Sequence, residues 1–440
     1  MKRPPRSRQS PAPGRPTLIW PGSDRPLPPA EPAALAQVEA HPAEGPSAPA
    51  WQNLLIQADN RRAIAALLPR FAGQVDLIYL DPPFGTGTSF SMLGGADQGE
   101  IEAYCDRWEE GLGDYLSTLH EQLSLMRALL SDRGTIFAHC DWRTSHYMRC
   151  LLDQVFGAAC FKNEIVWRYR RWPTKTRAFQ RMHDMIFWYG KTPGDAHRWN
   201  QLYEDLAAST LETFGTRRQV ADISSGRRKP SQTEEETPGA PMSDVWEIGI
   251  IAPIARERLG YPTQKPEVLL RRVIEVASEP GDLVADFFAG SGTTLAVAEK
   301  LGRRFIGCDA GALAVHTTKK RLLAMRGKAR SSAGFEIVAE ARDEAARAAP
   351  FEVTIEPLGV PLGLKIVMPE SEDLDYWAVD FEHDGETFRP SFSALRPGRK
   401  APLPREAVHV YRLPGERRIA VQRVDDKGRE ARVILRHKAG

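Results

Sequence analysis

Cysteine is scarce in this sequence and follows no pattern. The 440 residues include five cysteines, an odd number, and no two of them form a Cys-x-x-Cys pair. A structural zinc site needs grouped thiolates or imidazoles, and a disulfide framework needs an even set of cysteines. The composition therefore argues against both kinds of site, and we expect reduced thiols and no bound metal.

Long apolar runs and a large excess of one charge are also lacking. No run approaches the about 20 apolar residues that a membrane-spanning helix requires. Lys plus Arg number 59 and Asp plus Glu 57, which gives a formal net charge of +2. We therefore expect no membrane partner, and any contact with nucleic acid has to come from local clusters of basic residues.

The most informative segment present follows an apolar run at 75–80 and reads Asp81-Pro82-Pro83-Phe84. Each proline fixes its own φ and lacks an N–H, so the chain leaves the strand stiff and extended, with free carbonyls. An ionised Asp81 only accepts hydrogen bonds, so it and the Pro82 carbonyl can take both hydrogens of an amino group. Phe84 can stack on a planar ring. The plainer alternative is a strand that ends in a Pro-Pro turn over a core phenylalanine.

A second segment is typical of nucleotide sites. An apolar strand at 282–288 leads into Gly290-Ser291-Gly292 and a helical pattern at 293–298. Small residues let the backbone approach a ligand closely, and a helix N-terminus offers free N–H groups. The next strand ends in Asp309, about 20 residues on, from where a carboxylate usually binds ribose hydroxyls. Taken alone, a Gly-x-Gly turn also serves NAD, flavin or plain packing.

Together these segments resemble the amino-group DNA methyltransferases that use S-adenosylmethionine, in their permuted (beta) class. In that class the catalytic half precedes the cofactor half, which is the order found here, with Thr263-Gln264-Lys265-Pro266 between the two motifs. The resemblance spans roughly residues 51–325 and includes strands at 134–141 and 183–189. It implies an α/β fold with a doubly wound, Rossmann-like sheet.

The resemblance also implies roles for particular residues. Two positions depart from the common pattern: Gly85 stands where relatives often have Asn, and Asp309 stands where many have Glu. The implied catalytic residues are Asp81, Pro82, Pro83 and Phe84. The implied cofactor-binding residues are Asp59, Gln264, Lys265, Pro266, Asp286, Phe288, Ala289, Gly290, Ser291, Gly292, Thr293 and Asp309.

The implied reaction moves a methyl group from S-adenosylmethionine to N6 of an adenine flipped out of DNA. Acceptors at Asp81 and Pro82 favour a more tetrahedral nitrogen, and orientation supplies much of the rate. Asp at the first position is typical of the adenine enzymes, whereas Ser is commoner in the cytosine-N4 enzymes. The alternative is therefore an N4-cytosine DNA methyltransferase. An RNA methyltransferase and a non-catalytic DNA-binding protein are more remote.

One basic cluster interleaves cations with aromatic residues, as a surface that tracks phosphates and stacks on bases does. A solvated charged loop is the alternative. The predicted DNA-binding residues in this cluster are Arg168, Arg170, Arg171, Trp172, Lys175 and Arg177.

The chain divides into three predicted parts. Residues 1–50 are rich in Pro, Arg and Ala and are expected to be disordered. A methyltransferase domain follows at 51–330, with a catalytic half at 51–190, a target-recognition insert at 191–260 and a cofactor-binding half at 261–330. Residues 331–440 are expected to form a linker and a small β-rich accessory domain, because short β-like runs dominate after about 350.

Partners and location follow from the resemblance. Double-stranded DNA is the expected partner, and a homodimer and a cognate restriction nuclease or helicase subunit are open alternatives. We expect a cytoplasmic, nucleoid-associated protein of bacterial origin, because no apolar signal region follows the basic start.

Overall fold

A computed structural model describes residues 17–24, 27–43, 51–93, 100–106, 111–175, 177–222, 229–326, 333–340, 350–397 and 401–439. Within these residues no helix combines the length and the apolar character needed to cross a membrane.

The centre of the fold is a mixed ten-stranded sheet. Its strand order is β1-β16-β2-β15-β14-β3-β6-β8-β7-β13, and the five strands from β2 to β6 in that order run parallel. The strands, numbered in chain order, are β1 (Ala36–His41), β2 (Gln52–Gln57), β3 (Val75–Leu80), β6 (Leu130–Cys140), β7 (Phe161–Arg168), β8 (His183–Gly190), β13 (Val245–Glu247), β14 (Leu283–Asp286), β15 (Arg304–Asp309) and β16 (Gly334–Ala339).

Helices cover both faces of this sheet. One apolar core contains residues of α1 (Asn60–Phe71), α2 (Leu112–Leu129) and α3 (Ser145–Val155), and a short 3-10 turn, Ala158–Cys160, follows α3. The opposite core contains residues of α5 (Glu267–Ala277), α6 (Thr293–Lys300) and α7 (Ala312–Arg326). The predicted doubly wound α/β fold is confirmed.

The two halves of the chain meet at the centre of the sheet. Strand β14 lies beside β3 in parallel, with Asp286 in register with Tyr79, and β15 lies on the other side of β14. The carboxyl ends of β3, β14 and β15 therefore share one edge, which is where open α/β sheets bind ligands.

The predicted recognition insert, 191–260, is built from small elements. They are β9 (Tyr203–Glu204), α4 (Ala208–Phe214), β10 (Arg217–Asp222), β11 (Lys229–Glu236) and β12 (Ala240–Pro241), followed by β13. Strands β10 and β11 pair with each other, and so do β9 and β12. The main sheet thus resumes at β13, within the predicted insert, because β13 pairs in parallel with β7.

A separate hairpin follows the Pro-Pro segment. It consists of β4 (Ser89–Leu93) and β5 (Glu100–Cys105). The backbone N–H groups of Gly85 and Thr86 donate to the buried Asp106 carboxylate at 2.9 and 2.8 Å. These bonds hold the start of the loop against its end, beside the edge of the sheet.

Two antiparallel sheets form the C-terminal region. The sheets are β17-β18-β21 and β20-β19-β22-β23, and their facing sides share one apolar core. The other side of β19 and β22 packs Tyr376 and Ala420 near Leu323 of α7. The strands are β17 (Thr354–Pro357), β18 (Gly363–Val367), β19 (Leu374–Asp380), β20 (Phe392–Leu395), β21 (Glu406–Val410), β22 (Gly415–Asp425) and β23 (Glu430–Ala439).

Two details differ from the predicted division of the chain. Residues 36–41, within the segment expected to be disordered, form the edge strand β1, which pairs antiparallel with β16. Its inward residues, Glu39 and His41, are polar, so the hydrophobic pattern gave no signal for a strand. Strand β16 itself was assigned to a linker but belongs to the main sheet. Residues 17–24 and 27–35 do not fit the expected disorder either, because Trp20 and Leu35 pack against the core that contains α1, α2 and α3. Residues 1–16, 25–26 and 44–50 lie outside the described residues.

A buried charged cluster ties β1, α7 and β22 together. The Glu39 carboxylate lies 3.1 Å from Lys319 Nζ, 2.7 Å from His41 Nε2 and 3.1 Å from Gln422 Nε2. Burial alone raises the pKa of the Glu39 carboxyl, but Lys319 and His41 outweigh it and hold that pKa well below its usual range. The cluster joins the N-terminal strand and the C-terminal sheets to the core.

Removing the cation of this cluster should destabilise the whole protein. Lys319→Met leaves the Glu39 charge buried without its cation, a change that typically costs about 3–5 kcal/mol. The measurement is chemical denaturation of the full chain. Lys438→Met, at an exposed position of β23, is the control and should change stability by about 0.5 kcal/mol at most. Equal stability of the two variants would contradict a structural role for the cluster.

Candidate active site

Three carboxylates from three parallel strands converge on one cavity. Asp81 follows β3, Asp286 ends β14 and Asp309 ends β15, and all three line a cavity of about 470 Å³. That volume lies within the about 300–1,000 Å³ typical of small-molecule sites. The cavity is thus the predicted ligand site at the edge where the two halves meet.

The Asp81 carboxylate has two partners on different elements. One oxygen, Oδ2, accepts a hydrogen bond from the Lys265 ammonium, and the other, Oδ1, lies 3.3 Å from Nδ1 of His139. Its side chain remains 18% exposed. A carboxylate has about four acceptor sites, so Asp81 can still accept from a further donor.

The rest of the Pro-Pro segment lines the same cavity. Pro82, Pro83 and Phe84 all reach it. The Phe84 ring is partly buried and meets the His139 ring edge-on, with 5.6 Å between centroids. Phe84 also lines a larger cleft of about 1000 Å³, so this residue belongs to both openings.

The glycine turn and Asp309 are joined by hydrogen bonds. The Gly290 N–H donates to Asp309 Oδ2 at 2.8 Å, and the Gly311 N–H donates to Oδ1 at 2.9 Å. Gly290 has φ +50, and a Cβ added there would lie 3.3 Å from Cε1 of Tyr261 in the cavity wall. The turn therefore accommodates a glycine at position 290, whereas a side chain there would crowd Tyr261.

Most of the predicted cofactor-binding residues lie in the cavity lining. They are Gln264, Lys265, Asp286, Phe288, Ala289, Gly290, Ser291, Thr293 and Asp309.

Three others occupy supporting positions. Asp59 is the N-cap of α1 and accepts from the Arg62 N–H, and its neighbour Asn60 lines the cavity instead. Pro266 is the N-cap of α5. Gly292 has φ +69, and an added Cβ would meet Thr318 Oγ1 at 2.6 Å, so this glycine serves helix packing. The positions of these three favour support over direct contact.

Asp286 supports the glycine turn through two hydrogen bonds. Its carboxylate accepts from the Thr294 hydroxyl at 2.6 Å and from the Phe288 N–H at 2.9 Å. Burial raises the pKa of Asp286 to about 7, since the two hydrogen bonds offset only part of the effect. The group is therefore part of the scaffold of the turn as well as of the cavity wall.

Several lining residues had no signal in the sequence. Tyr104 of β5 and Tyr261 both line the cavity, and the Tyr104 hydroxyl lies 3.3 Å from Thr263 Oγ1. His139 is fully buried behind the tetrapeptide. The sequence placed His139 on a strand of the catalytic half but gave no indication of its contact with Asp81.

The predicted DNA-binding cluster lies beside the larger cleft. Arg171 lines that cleft, and Arg168 is held in an ion pair by Glu247 of β13. Trp172 is 88% exposed. Arg170, Lys175 and Arg177 are exposed, and among the described residues they have no ion pair. The cluster thus offers exposed cations and an aromatic face, with Arg171 at the opening itself.

The comparisons identify the family. The model of the N6/N4 DNA methylases, described as DNA methylase, matches residues 75–320, more than half of the chain. The chain belongs to this family. It is a DNA methyltransferase, and S-adenosylmethionine is its methyl donor.

Individual relatives agree with this assignment. The chain is 31% identical over 250 residues to the DNA adenine methyltransferase YhdJ of Escherichia coli, which covers 56% of this chain and 76% of the relative. It is 29% identical over 323 residues to the type II methyltransferase M.EcaI of Enterobacter cloacae, and the match covers 61% of this chain and 69% of the relative.

Solved structures are also similar. The M1.HpyAVI–SAM complex has a TM-score of 0.39 at 21% identity and covers 61% of this chain and 100% of its own. The PvuII DNA methyltransferase, described as cytosine-N4-specific, has a TM-score of 0.38 at 18% identity. The match covers 63% of this chain and 90% of the PvuII chain.

The raised pKa of Asp286 predicts a dependence of stability on pH. An unfolded Asp titrates near about 3.9, so between about pH 4 and 7 the folded chain retains a proton that the unfolded chain releases. Stability therefore falls as pH rises through this window, by an amount on the order of 4 kcal/mol at most. Asp286→Asn removes this titration. The melting temperature of the variant, relative to that of the wild type, should therefore increase from pH 5 to 8. If the melting temperatures of Asp286→Asn and the wild type changed with pH in the same way, the assignment would be contradicted. The control Asp24→Asn, at an exposed site, should follow the wild type in this way.

Gly290→Ala tests the close approach of the turn. The new methyl group would enter the cavity beside Tyr261, and overpacking of this kind costs about 1–3 kcal/mol. S-adenosylmethionine binding, measured by calorimetry, should therefore weaken by about 5- to 150-fold. Gly302→Ala is the matched control, because Gly302 also has a positive φ, +72, but its Cβ would make only an ordinary van der Waals contact, 3.8 Å from Cβ of Pro280. It should bind S-adenosylmethionine as the wild type does.

Proposed function

We propose that this DNA methyltransferase transfers a methyl group to N6 of an adenine flipped out of double-stranded DNA, within a specific recognition sequence. The observation that carries the proposal is the position of Asp81. Its carboxylate lines the ligand cavity, and Phe84 and Lys265 beside it line both that cavity and the larger, open cleft. A base that enters from the cleft can thus meet a methyl donor held in the cavity.

The cavity fits the methyl donor in size and in polar groups. Asp309 keeps acceptor capacity for ribose hydroxyls after its two bonds to backbone N–H groups. Phe288 and Ala289 add apolar surface, and Gly290 allows close approach of the backbone. When bound, S-adenosylmethionine supplies a methyl group activated by its sulfonium. The hard chemistry belongs to the cofactor, and the protein binds and orients.

Asp81 and Pro82 act on the incoming amino group. Because the nitrogen lone pair of an exocyclic amino group is delocalised into its ring, the free amino group is a poor nucleophile. Acceptance of its two hydrogens by the Asp81 carboxylate and the Pro82 carbonyl favours a more tetrahedral nitrogen. The same two bonds aim that nitrogen, and orientation effects supply on the order of 7 kcal/mol in favourable cases.

The amino group has to share Asp81 with Lys265. The Lys265 ammonium donates to Asp81 Oδ2 and also to the Thr263 carbonyl, the latter at 3.1 Å. Since the carboxylate has about four acceptor sites, a base can bind without displacing the lysine. Lys265 balances the charge of Asp81 while the site is being filled.

DNA would enter through the larger cleft. Extrusion of a base costs a few kcal/mol, which contacts with the base and the phosphates have to offset. Phe84 is available to stack on the base, and the exposed Arg170, Lys175 and Arg177 are available for phosphates. The hairpin of β10 and β11 in the insert is our candidate for reading the DNA sequence.

Adenine is favoured over cytosine for two reasons. Asp81 at the first position of the tetrad is typical of adenine enzymes, and the 31% identical relative from Escherichia coli carries the name DNA adenine methyltransferase. Two similar proteins come from the bacteria Enterobacter cloacae and Escherichia coli. We therefore propose that the substrate is the DNA of a bacterial nucleoid, in the cytoplasm. A homodimer and a cognate restriction nuclease or helicase subunit stay predictions.

Single-molecule sequencing tests the reaction and the base together. DNA from cells that express the wild type should carry N6-methyladenine at one sequence motif. Asp81→Ala removes an acceptor that acts on the reacting nitrogen, so the mark should fall by at least about 100-fold, the scale seen when a transition-state hydrogen bond is lost. Asp24→Ala, at an exposed site outside the cavity, is the matched control and should leave the mark intact.

The other outcomes are equally clear. If the motif carried N4-methylcytosine and Asp81→Ala abolished that mark, the mechanism would be supported and the target base would be cytosine. Unchanged adenine methylation in Asp81→Ala would contradict the role of the tetrad.

A further inference from the structure

His139 is a buried imidazole between two carboxylates. On one side its Nδ1 lies 3.3 Å from Asp81 Oδ1 and 2.9 Å from the Tyr79 hydroxyl. On the other side its Nε2 lies 3.4 Å from Asp184 Oδ2. The side chain has no exposed surface. A buried polar ring in this position needs an explanation, because aromatic or aliphatic residues fill such strand positions at lower cost.

We propose that His139 is the positioning residue that fixes the rotamer of the Asp81 carboxylate for methyl transfer. The inference rests on the proposed function, since it assigns His139 a role in that reaction. His139 acts through Asp81 and not on the base, because it does not line either the cavity or the larger cleft.

The ring itself is held firmly in place. Three aromatic side chains surround it: Phe84 at 5.6 Å, Trp167 at 5.5 Å and Tyr79 at 6.3 Å between ring centroids. The first two meet it edge-on, which is a preferred arrangement of aromatic pairs. Since β6 lies between β3 and β8 in the sheet, its backbone is fixed as well. The nitrogen that faces Asp81 is therefore a fixed point.

Asp81 needs such a fixed point because of Lys265. The terminal torsion of an aspartate is broad and roughly two-fold, so one contact leaves its carboxylate free to turn. Lys265 holds Oδ2 from the cavity side. With Oδ1 against His139, the carboxylate plane is set by two contacts. Without His139, the carboxylate can turn toward the lysine and away from the amino group.

Asp184 fixes the other side of the ring and reaches the cleft. Its Oδ1 accepts from the Tyr169 hydroxyl at 3.0 Å, and Arg171 donates to that hydroxyl at 3.2 Å. Burial raises the pKa of the Asp184 carboxyl, but His139 and Lys265 outweigh it and leave that pKa below its ordinary value. An ionised Asp184 is an acceptor only, so it orients the ring by taking the Nε2 hydrogen.

Two amide substitutions separate the two sides of the ring. The amide nitrogen of Asn can take the place of Nδ1, so His139→Asn keeps a polar atom against Asp81. The amide nitrogen of Gln takes the place of Nε2, so His139→Gln keeps a donor toward Asp184 and loses the 3.3 Å contact with Asp81 Oδ1.

The test measures kcat, the KM for DNA and S-adenosylmethionine binding on the full chain. We expect His139→Gln to lower kcat by about 100-fold, the effect of a misplacement of about 1 Å. KM and cofactor binding should stay within about 2-fold of the wild type, and His139→Asn should restore most of kcat. In an Asp81→Asn background, His139→Gln should add no further loss, since residues that act as a unit are not additive.

A matched control exists in a second buried histidine–aspartate pair. Nε2 of His316 lies 2.8 Å from Asp375 Oδ2, in the contact between α7 and β19. His316→Gln should leave kcat per folded molecule unchanged. Wild-type kcat in His139→Gln would overturn the inference, and so would equal losses in the Asn and Gln variants accompanied by loss of cofactor binding.

Two further results keep the inference testable. If His139→Gln does not fold, the imidazole ¹⁵N resonances of His139 can be compared between the wild type and Asp81→Asn. A change in the Nδ1 signal supports the contact, and identical spectra overturn it. A wild type that methylates cytosine leaves the inference intact, whereas a wild type that methylates no base contradicts the proposed function and the inference with it.

Discussion

The parallel pairing of β14 with β3 is the constraint on which the site depends. The two strands are about 200 residues apart in the sequence, yet Asp286 lies in register with Tyr79. Because both strands run the same way, Asp81 and the glycine turn emerge at one edge, and β15 adds Asp309 beside them. Parallel strands are joined by crossovers, so the loops after β14 and β15 lead into the covering helices α6 and α7, whereas the loop after β3 first forms the β4–β5 hairpin. Strand direction and register therefore bring the three carboxylates together, and Tyr104 and Tyr261 complete the cavity wall.

The segments outside the family match complete the scaffold. The match ends at residue 320, yet Lys319 of α7 reaches Glu39 of the N-terminal strand, and Gln422 of β22 shares that carboxylate. The Gly428 turn also abuts the start of α7, since an added Cβ there would lie 2.6 Å from the Ala312 carbonyl oxygen. Helix α7 starts just after Asp309, so the C-terminal sheets support the helix that adjoins the ligand cavity.

Local chemistry made part of this structure predictable. The Pro-Pro segment and the glycine turn each carry their conformation in their own residues, and apolar runs marked the central strands. What the sequence could not give were contacts between distant segments: His139 with Asp81, or Asp106 with Gly85. Strand β1 was missed for another reason. Its buried residues are charged or polar, and their partners lie on α7 and β22, so no local pattern could indicate burial.

The central claim is that methyl transfer takes place where the two halves of the chain meet. A crystal structure of the full chain with S-adenosylhomocysteine, the product of the cofactor, tests it most directly. We predict that the ligand fills the cavity, with its ribose hydroxyls within hydrogen-bonding distance of Asp309 and its sulfur facing Asp81. A ligand bound elsewhere, or one whose sulfur lies on the far side of Asp309 from Asp81, would contradict the account.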